Sequence, residues 1–411
     1  MGKDFCKVLL LGEPFNDYTG MGVTLTNLFK EWPKESIAVA SKDLDTQLCD
    51  AIRPCSRYVV LSKPNRAVVR RSRLEKAVRY ILRELYLKLG LSDRQVIPVS
   101  EEIKQCLNDF KPDIIFSALG SLDRMNYLQS VMRYAPHSKY VIYITDDWCN
   151  TAYNGRIFKN RWKREYHDKI MEIISNSALN LSICSYMSEA YKVQFGFDFI
   201  PFHNPVDTKY WNSVPSVRKY PDDTFAIIYV GKINKDTKPR LKKLSHIVEK
   251  LNKEGQAKVV FDIYSPSTKD VEEFSNFDHC KVLHSVPNSQ IPELLKSYDC
   301  LFLPLGFSQS SRLYTRLSMP TKLTEYMASG VPMIVNCPVE IALSKYVTES
   351  KCAFVCNEQN ENALKETLLT VISDRSKVEE IVIHALEEAQ HHDIAIIRER
   401  FRSAIVYCMA K

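Results

Sequence analysis

Short apolar runs alternate with amphipathic segments along most of the chain. Runs such as Lys7–Leu11, Lys139–Thr145 and Phe225–Val230 are almost wholly apolar, which is typical of strands buried on both faces of a parallel sheet. Between them lie longer stretches with apolar residues at helical spacing. This alternation predicts an α/β fold built on parallel sheets.

The alternation stops once and then begins again near the middle of the chain. Thr208–Asp223 carries proline, serine and charge, as a linker does, and Phe225–Val230 follows as a fresh first strand. A length of 411 residues allows two or three domains, each with its own core. The pattern therefore predicts two doubly wound, Rossmann-like domains.

The stretch Ser318–Pro332 combines helix signals with charge. It follows an apolar run, Cys300–Pro304, that we predict to be a buried strand, and a polar loop, Leu305–Met319. Pro320 suits the first turn of a helix, and Gly330 followed by proline ends it. The sequence predicts strand, loop, short helix and strand.

The predicted helix begins beside Lys322 and Glu325. A helix N-terminus and a lysine attract a phosphate, and a carboxylate one turn later suits the hydroxyl groups of a ribose. The alternative is that both are solvated first-turn charges. The spacing alone favours neither interpretation.

Two further pairs of candidate site residues follow predicted strands. Gly20 and Gly22 lie between the first strand and the next helix, where glycine lets the backbone approach a ligand. A dinucleotide fingerprint would need a third glycine where Leu25 stands, so the signal for NAD is weak. Asp146 and Asp147 follow Lys139–Thr145. One of them either acts as a general base or orients a sugar, or it caps the next helix.

The residues Ser-x-Pro-x-Lys-Leu-x-Glu-Tyr-Met-Ala-x-Gly-x-Pro at 318–332 resemble the nucleotide-sugar signature of GT-B glycosyltransferases. The variant is common in glycosyltransferase family 4 enzymes of bacterial surface polysaccharide synthesis. In the commoner pattern two glutamates lie eight positions apart. Glu325 matches the second, and Leu317 stands in place of the first. The Ser318 and Lys322 cluster belongs to the variant without that glutamate.

The resemblance extends to Gly231 and Lys232, where the family begins a loop whose cations hold the donor diphosphate. Lys235, Lys238 and Arg240 are candidates for a second cation. Gly20 and Gly22 are similar to the glycine loop that faces the cleft between GT-B domains.

The resemblance implies a GT-B fold of two doubly wound Rossmann-like domains facing a cleft. We expect an acceptor domain at 1–207, with the last helix, 391–411, packing back on it, and a donor domain at 208–390. The implied activity is metal-independent, retaining transfer of a sugar from a nucleoside diphosphate to a carbohydrate or lipid-linked acceptor, without a cofactor. The catalytic candidates are Asp146, Lys232 and Lys322, and the donor-binding candidates are Gly231, Lys232, Ser318, Lys322 and Glu325.

The net charge of +7 is concentrated in one segment. Residues 53–94 hold twelve lysines and arginines and three acidic residues, and Leu74–Leu89 has apolar residues at helical spacing. A basic amphipathic helix of this kind lies on anionic membrane surfaces, so 66–90 is a predicted membrane contact. The alternative is a core-packing helix with a basic outer face. No aromatic platform or recognition motif accompanies the charge, which argues against nucleic acid.

The twelve cysteines are scattered and form no ligand-like spacing, which is typical of reduced cytoplasmic proteins. Asp43-Leu-Asp45 is the one Asp-x-Asp match and lies far from the donor half, so no metal site is predicted. We expect a cytoplasmic protein, peripheral on the inner face of the plasma membrane. Two alternatives keep the fold: a non-catalytic nucleotide-sugar binding or scaffold subunit, and a sugar-nucleotide epimerase.

Overall fold

The computed structural model describes residues 5–61, 73–89, 97–154, 156–267 and 271–410. The chain divides into two compact units. Unit 1 runs to His203 and resumes at Arg398, and unit 2 is Asn204–Ile397. The division falls close to the predicted boundaries after residues 207 and 390.

Unit 1 is built on a parallel sheet in the order β3-β2-β1-β4-β5-β6-β7, as far as the chain is described. Its strands are β1 (Val8–Leu11), β2 (Ile37–Ser41), β3 (Arg57–Val60), β4 (Ile114–Leu119), β5 (Lys139–Ile144), β6 (Leu179–Ser182) and β7 (Ile200–Pro201). Its helices are α1 (Gly20–Leu28), α2 (Thr46–Ile52), α3 (Arg73–Lys88), α4 (Glu101–Phe110), α5 (Leu122–Tyr134), α6 (Trp148–Thr151), α7 (Lys159–Ser175) and α8 (Ser185–Phe195). The predicted Rossmann-like arrangement is confirmed for this unit.

Unit 2 repeats the architecture around a parallel sheet in the order β10-β9-β8-β11-β12-β13, within its described residues. Its strands are β8 (Phe225–Val230), β9 (Val259–Ser265), β10 (Cys280–His284), β11 (Cys300–Pro304), β12 (Met333–Asn336) and β13 (Phe354–Cys356). Its helices are α9 (Thr208–Ser213), α10 (Lys238–Lys253), α11 (Ile291–Lys296), α12 (Gln309–Thr315), α13 (Lys322–Ala328), α14 (Ala342–Glu349), α15 (Glu361–Ser373) and α16 (Arg375–His391). Helix α12 corrects the prediction of a loop at 305–319: Ser308 caps it by accepting from the Ser311 N–H.

The last helix, α17 (Ile394–Ala410), packs its second half into the core of unit 1. The Phe401 ring lies 5.0 Å from the Phe29 ring and 5.5 Å from the Phe202 ring, centroid to centroid. The Lys139 ammonium donates to the carbonyls of Cys408 and Met409 at 3.0 and 2.9 Å. These contacts place the chain's last turns in unit 1.

In both sheets the strand order reverses beside the first strand of the unit, between β1 and β4 and between β8 and β11. Loops at the carboxyl ends of such neighbouring strands leave a crevice, and ligands of open α/β sheets bind there. The strands are apolar because both faces of a parallel sheet are covered. Among the described helices, none is long and apolar enough to cross a membrane.

Candidate functional site

The carboxyl end of β8 is shaped by Gly231. Its φ is +154°, which favours glycine, and its N–H donates to the Tyr264 carbonyl of β9 at 2.8 Å. A Cβ at this position would lie 2.5 Å from the Lys322 Nζ and 2.8 Å from the Tyr229 hydroxyl oxygen. Glycine is therefore required here because a lysine and a tyrosine occupy the space of a side chain.

Lys322, the first residue of α13, is held against the end of β8. Its ammonium donates to the Val230 carbonyl at 2.6 Å and lies 4.6 Å from the centroid of the Tyr229 ring. The Tyr229 hydroxyl in turn donates to the Lys232 carbonyl at 3.0 Å. Two segments that the sequence resemblance linked, Gly231–Lys232 and Ser318–Pro332, are thus in direct contact.

Burial changes the acid–base behaviour of this pair of charges. It lowers the pKa of Lys322 to about 8, opposed by the charge of Glu325. It raises the pKa of Glu325 to about 7, opposed by the charge of Lys322. Both side chains are only partly exposed, and the Lys322 ammonium has a main-chain partner in Val230. A poorly solvated ammonium gains from a bound anion, so this position suits a phosphate.

Lys232 and its neighbours form the loop between β8 and α10. Besides the bond from Tyr229, the Lys232 carbonyl accepts from the Thr237 hydroxyl at 3.2 Å, and the Lys232 side chain is exposed. Of the candidates for a second cation, Lys238 is paired with Glu273 at 2.7 Å. Arg240 is buried with its guanidinium 5.0 Å from the centroid of the Phe307 ring. Lys235, the remaining candidate, is exposed as Lys232 is, so both lysines of this loop reach solvent.

Two positions before α13 have structural partners. Ser318 is buried and its hydroxyl donates to the Tyr314 carbonyl at 3.1 Å, so it closes the turn that follows α12. Leu317, at the position of the family's first glutamate, is also buried. An apolar core residue thus occupies the position at which the commoner signature has a glutamate.

The glycine loop of unit 1 is organised around Asn16. Its side-chain oxygen accepts from the Thr19 N–H at 2.8 Å, and the Thr19 hydroxyl oxygen accepts from the Gly22 N–H at 3.0 Å. A Cβ on Gly22 would lie 2.2–2.3 Å from the Asn16 amide group. Gly22 therefore makes room for Asn16, and Gly20 is an exposed first residue of α1.

Asp146 and Asp147, which follow β5, have different surroundings. Asp147 is fully buried and accepts from the Tyr191 hydroxyl at 3.0 Å and from the Asn150 amide at 2.6 Å. Its carboxylate makes no capping bond to α6, so helix capping does not account for it. Asp146 is half-buried at the carboxyl edge of the sheet. Of the pair, Asp146 is the more exposed.

Unit 1 also contains a cavity of about 60 Å³ at the carboxyl ends of its strands. Its lining combines two cations, two carboxylates and two hydroxyl groups with main chain: Leu11, Gly12, Lys42, Asp43, Leu61, Ser117, Asp123, Arg124 and Tyr127. Arg124 is fixed by Glu13 at 2.5 Å. Sequence reasoning missed these residues; charges just after β2 and at the start of α5 were the available signal.

In the residues that the structure describes, no group of three or more metal-ligating side chains is found.

Part of the second unit is similar to a known protein family. Residues 224–374 match the family model described as Glycosyl transferases group 1. The match lies wholly within unit 2. It includes Gly231, Lys232, Lys322 and Glu325. No curated protein sequence matches this chain.

Solved structures with the same fold span the whole chain. Sucrose-phosphate synthase from Thermosynechococcus elongatus has a TM-score of 0.66 at 11% identity, covering 98% of this chain and 99% of that one. A glycosyltransferase from Rickettsia africae has a TM-score of 0.64 at 10% identity, covering 99% of both. Anabaena HepE, solved in complex with UDP and glucose, has a TM-score of 0.62 at 12% identity, covering 97% and 99%. The chain has the GT-B fold, as the sequence predicted.

Proposed function

We propose that this protein is a glycosyltransferase that moves a sugar from a nucleoside diphosphate to a hydroxyl group of a carbohydrate or lipid-linked acceptor. The observation that carries the proposal is the contact of Lys322 with the end of β8. There a poorly solvated ammonium lies beside Gly231, inside the part of unit 2 that matches group 1 glycosyltransferases. UDP is bound in related folds such as Anabaena HepE, which supports a uridine nucleotide as the first donor to test.

The reaction breaks the bond between the sugar C1 and the diphosphate oxygen, and the electron pair leaves with the diphosphate. The acceptor oxygen forms the new bond to C1. In the proposal Lys322 and Lys232 stabilise the growing negative charge of the leaving diphosphate, which is the largest electrostatic demand of the step. Glu325 binds ribose hydroxyls, Gly231 lets the phosphates approach the main chain, and Ser318 supports the turn before α13.

Unit 1 supplies the acceptor side in this proposal. Asp146, half-buried at the carboxyl edge of its sheet, is the proposed acceptor-binding carboxylate. The charged and hydroxyl side chains of the cavity beside β1 and β4 suit a polar acceptor. We further propose that transfer retains the anomeric configuration and requires neither metal nor cofactor. Its place would be the synthesis of cell-surface polysaccharide, as in family 4 enzymes, at the cytoplasmic face of the membrane.

The test is transfer of radiolabelled sugar from a panel of UDP-sugars into a lipid-extractable or polysaccharide product. The wild type and a Lys253→Met control, which removes an exposed lysine at the end of α10, should both give product. Lys322→Met should lose about 10²–10³-fold in rate, as when one oxyanion donor is removed. Binding of UDP-sugar without transfer would instead indicate a scaffold subunit. Conversion of the donor sugar without acceptor would indicate an epimerase.

A further inference from the structure

Five apolar side chains of α3 and of the residue that follows it are exposed. Val78, Ile81, Leu82, Leu85 and Leu89 are each between 45% and 73% exposed. At 3.6 residues per turn they form one stripe along the helix. The alternative of a core-packing helix with a basic outer face is therefore wrong for these residues. The predicted contact segment 66–90 extends beyond the helix, and residues 66–72 and 90 lie outside the described part of the chain.

The opposite side of α3 is fixed to unit 1 by a buried carboxylate. Glu84 is 1% exposed. It accepts from the Trp162 indole N–H at 2.9 Å and from the Phe158 N–H at 3.1 Å. The Arg156 guanidinium lies 5.4 Å from the centroid of the Tyr80 ring, one turn before Glu84. This polar anchor holds the helix with its apolar stripe outward, the reverse of an ordinary surface helix.

Helix α7, which binds Glu84, carries exposed charge on its first turns. Lys159, Arg161, Lys163 and Arg164 are all exposed on the first turns of α7, next to the Phe158 and Trp162 groups that bind Glu84. Ile157, just before α7, is 63% exposed. An exposed apolar stripe on a helix whose packing partner carries exposed lysine and arginine matches an anionic bilayer, whose interface takes up apolar side chains and whose headgroups attract cations.

We propose that α3 is an interfacial helix. Its stripe of Val78, Ile81, Leu82, Leu85 and Leu89 enters the headgroup region of an anionic bilayer, while the basic start of α7 binds the lipid phosphates. Glu84 holds the helix in that orientation. The inference rests on the proposed function in one respect: a lipid-linked acceptor would lie in the same surface. The partner of the stripe is the bilayer itself. Insertion of apolar side chains into it is a different interaction from attraction by charge alone.

Vesicle sedimentation tests the stripe. With phosphatidylcholine–phosphatidylglycerol vesicles, the full-length wild type should pellet at low salt, and high salt should weaken but not abolish binding, since the apolar part is not screened. Ile81→Ser/Leu82→Ser/Leu85→Ser should lower the partition coefficient by about tenfold or more. Val193→Ser/Val217→Ser/Ile383→Ser, which changes three exposed residues elsewhere, should bind as the wild type does.

A fluorescent probe tests the depth of insertion. Leu85→Trp should show blue-shifted emission with vesicles and quenching by lipids brominated in the acyl chain. Val193→Trp, on the exposed side of α8, should show neither. Charge reversal by Lys159→Glu/Lys163→Glu/Arg164→Glu should remove the preference for anionic over neutral vesicles.

Three outcomes would overturn the inference. The wild type stays in the supernatant with both vesicle types, or the serine variant binds as tightly as the wild type, or Leu85→Trp is not quenched. A dimer that the serine variant abolishes, without vesicle binding, would assign the stripe to a second copy of the chain. UDP binding, measured on the same variants, separates this failure from failure of the proposed function, since the stripe variants should bind UDP normally.

Discussion

The contacts and the pKa of Lys322 depend on the residues that the fold brings next to it. The motif at 318–332 marks Lys322 as a candidate, and the family resemblance implies that Lys322 and Gly231 bind the same donor. The contact itself depends on the sheet order that puts β8 beside β11, and no local pattern reports a contact between residues so distant along the chain. The burial that shifts the pKa values of Lys322 and Glu325 could not be predicted for the same reason.

The lowered pKa of Lys322 should make donor binding depend on pH. Its ammonium is charged below about pH 8 and loses its charge as the pH rises through that value. A diphosphate binds the charged form better, so the affinity for UDP should fall above pH 8 and binding should take up a proton. Calorimetric titration in buffers of different ionisation enthalpy measures both. Lys322→Met should bind weakly with no such slope; the same slope in that variant would contradict the assignment.

Glu325 should give stability a slope at lower pH. Its pKa is about 7 in the folded protein and ordinary, near 4.5, in the unfolded chain. Between these values the folded state binds more protons, so the free energy of unfolding should fall as the pH rises from about 4.5 to 7. Urea unfolding followed across this range should show a smaller slope for Glu325→Gln. An unchanged slope would mean that Glu325 is ordinarily solvated.

Gly231 offers a steric test of the same site. Gly231→Ala places a methyl group on the Lys322 ammonium and the Tyr229 hydroxyl, so Lys322 must leave the Val230 carbonyl. We expect UDP affinity to fall by about 10–100-fold, the worth of one charge-assisted hydrogen bond. Gly255→Ala is the matched control, because that glycine also has a positive φ but open space around it. It should lose stability and keep its UDP affinity; equal losses of affinity would contradict the steric account.

For single elements, the sequence predicts whether a segment is a helix or a strand better than it predicts what that segment packs against. The buried strands and α13 follow from apolar runs, Pro320 and Gly330. Helix α12 was missed because its polar residues lack an apolar period and its cap lies in Ser308. Helix α3 was predicted as amphipathic, but its orientation depends on Glu84, a residue that any pattern would place in solvent. At Gly22 the sequence indicates close approach to the backbone, and the side chain that comes close there is that of Asn16.

The anchor of α3 gives a prediction for local stability. Glu84→Ala removes the acceptor of two N–H groups, and the Trp162 indole is fully buried. Leaving a buried donor unpaired costs about 1–3 kcal/mol, so α3 should open more often. Hydrogen exchange should speed up in α3 and at the start of α7, with the β4 and β5 amides unchanged. Glu75→Ala, which changes an exposed residue of the same helix, should leave exchange in α7 as it was. Equal protection in the Glu84 variant would mean that α3 is held by other contacts.

At the scale of the whole molecule, the mid-chain restart and the strand–helix alternation were enough to predict two Rossmann-like units. The order of strands and the return of α17 to unit 1 through Phe401 are long-range features. The general crossover rules predict the strand order only in part. The return of α17 to unit 1 was expected only from the family resemblance. The residues of the candidate site could be predicted in unit 2, because they lie in a motif. In unit 1 the cavity residues come from several loops with no shared pattern.

The central claim is that unit 2 binds a nucleoside diphosphate sugar and releases the diphosphate with the help of Lys322. The most direct measurement is the rate of UDP release from UDP-sugars, with excess EDTA, for the wild type, Lys322→Met and Lys253→Met. We predict release by the wild type and the control at equal rates, unaffected by EDTA, and release about 10²–10³-fold slower by Lys322→Met. Equal rates in a cleanly folded Lys322→Met protein, or a wild type that binds UDP-sugar and never releases UDP, would contradict the account.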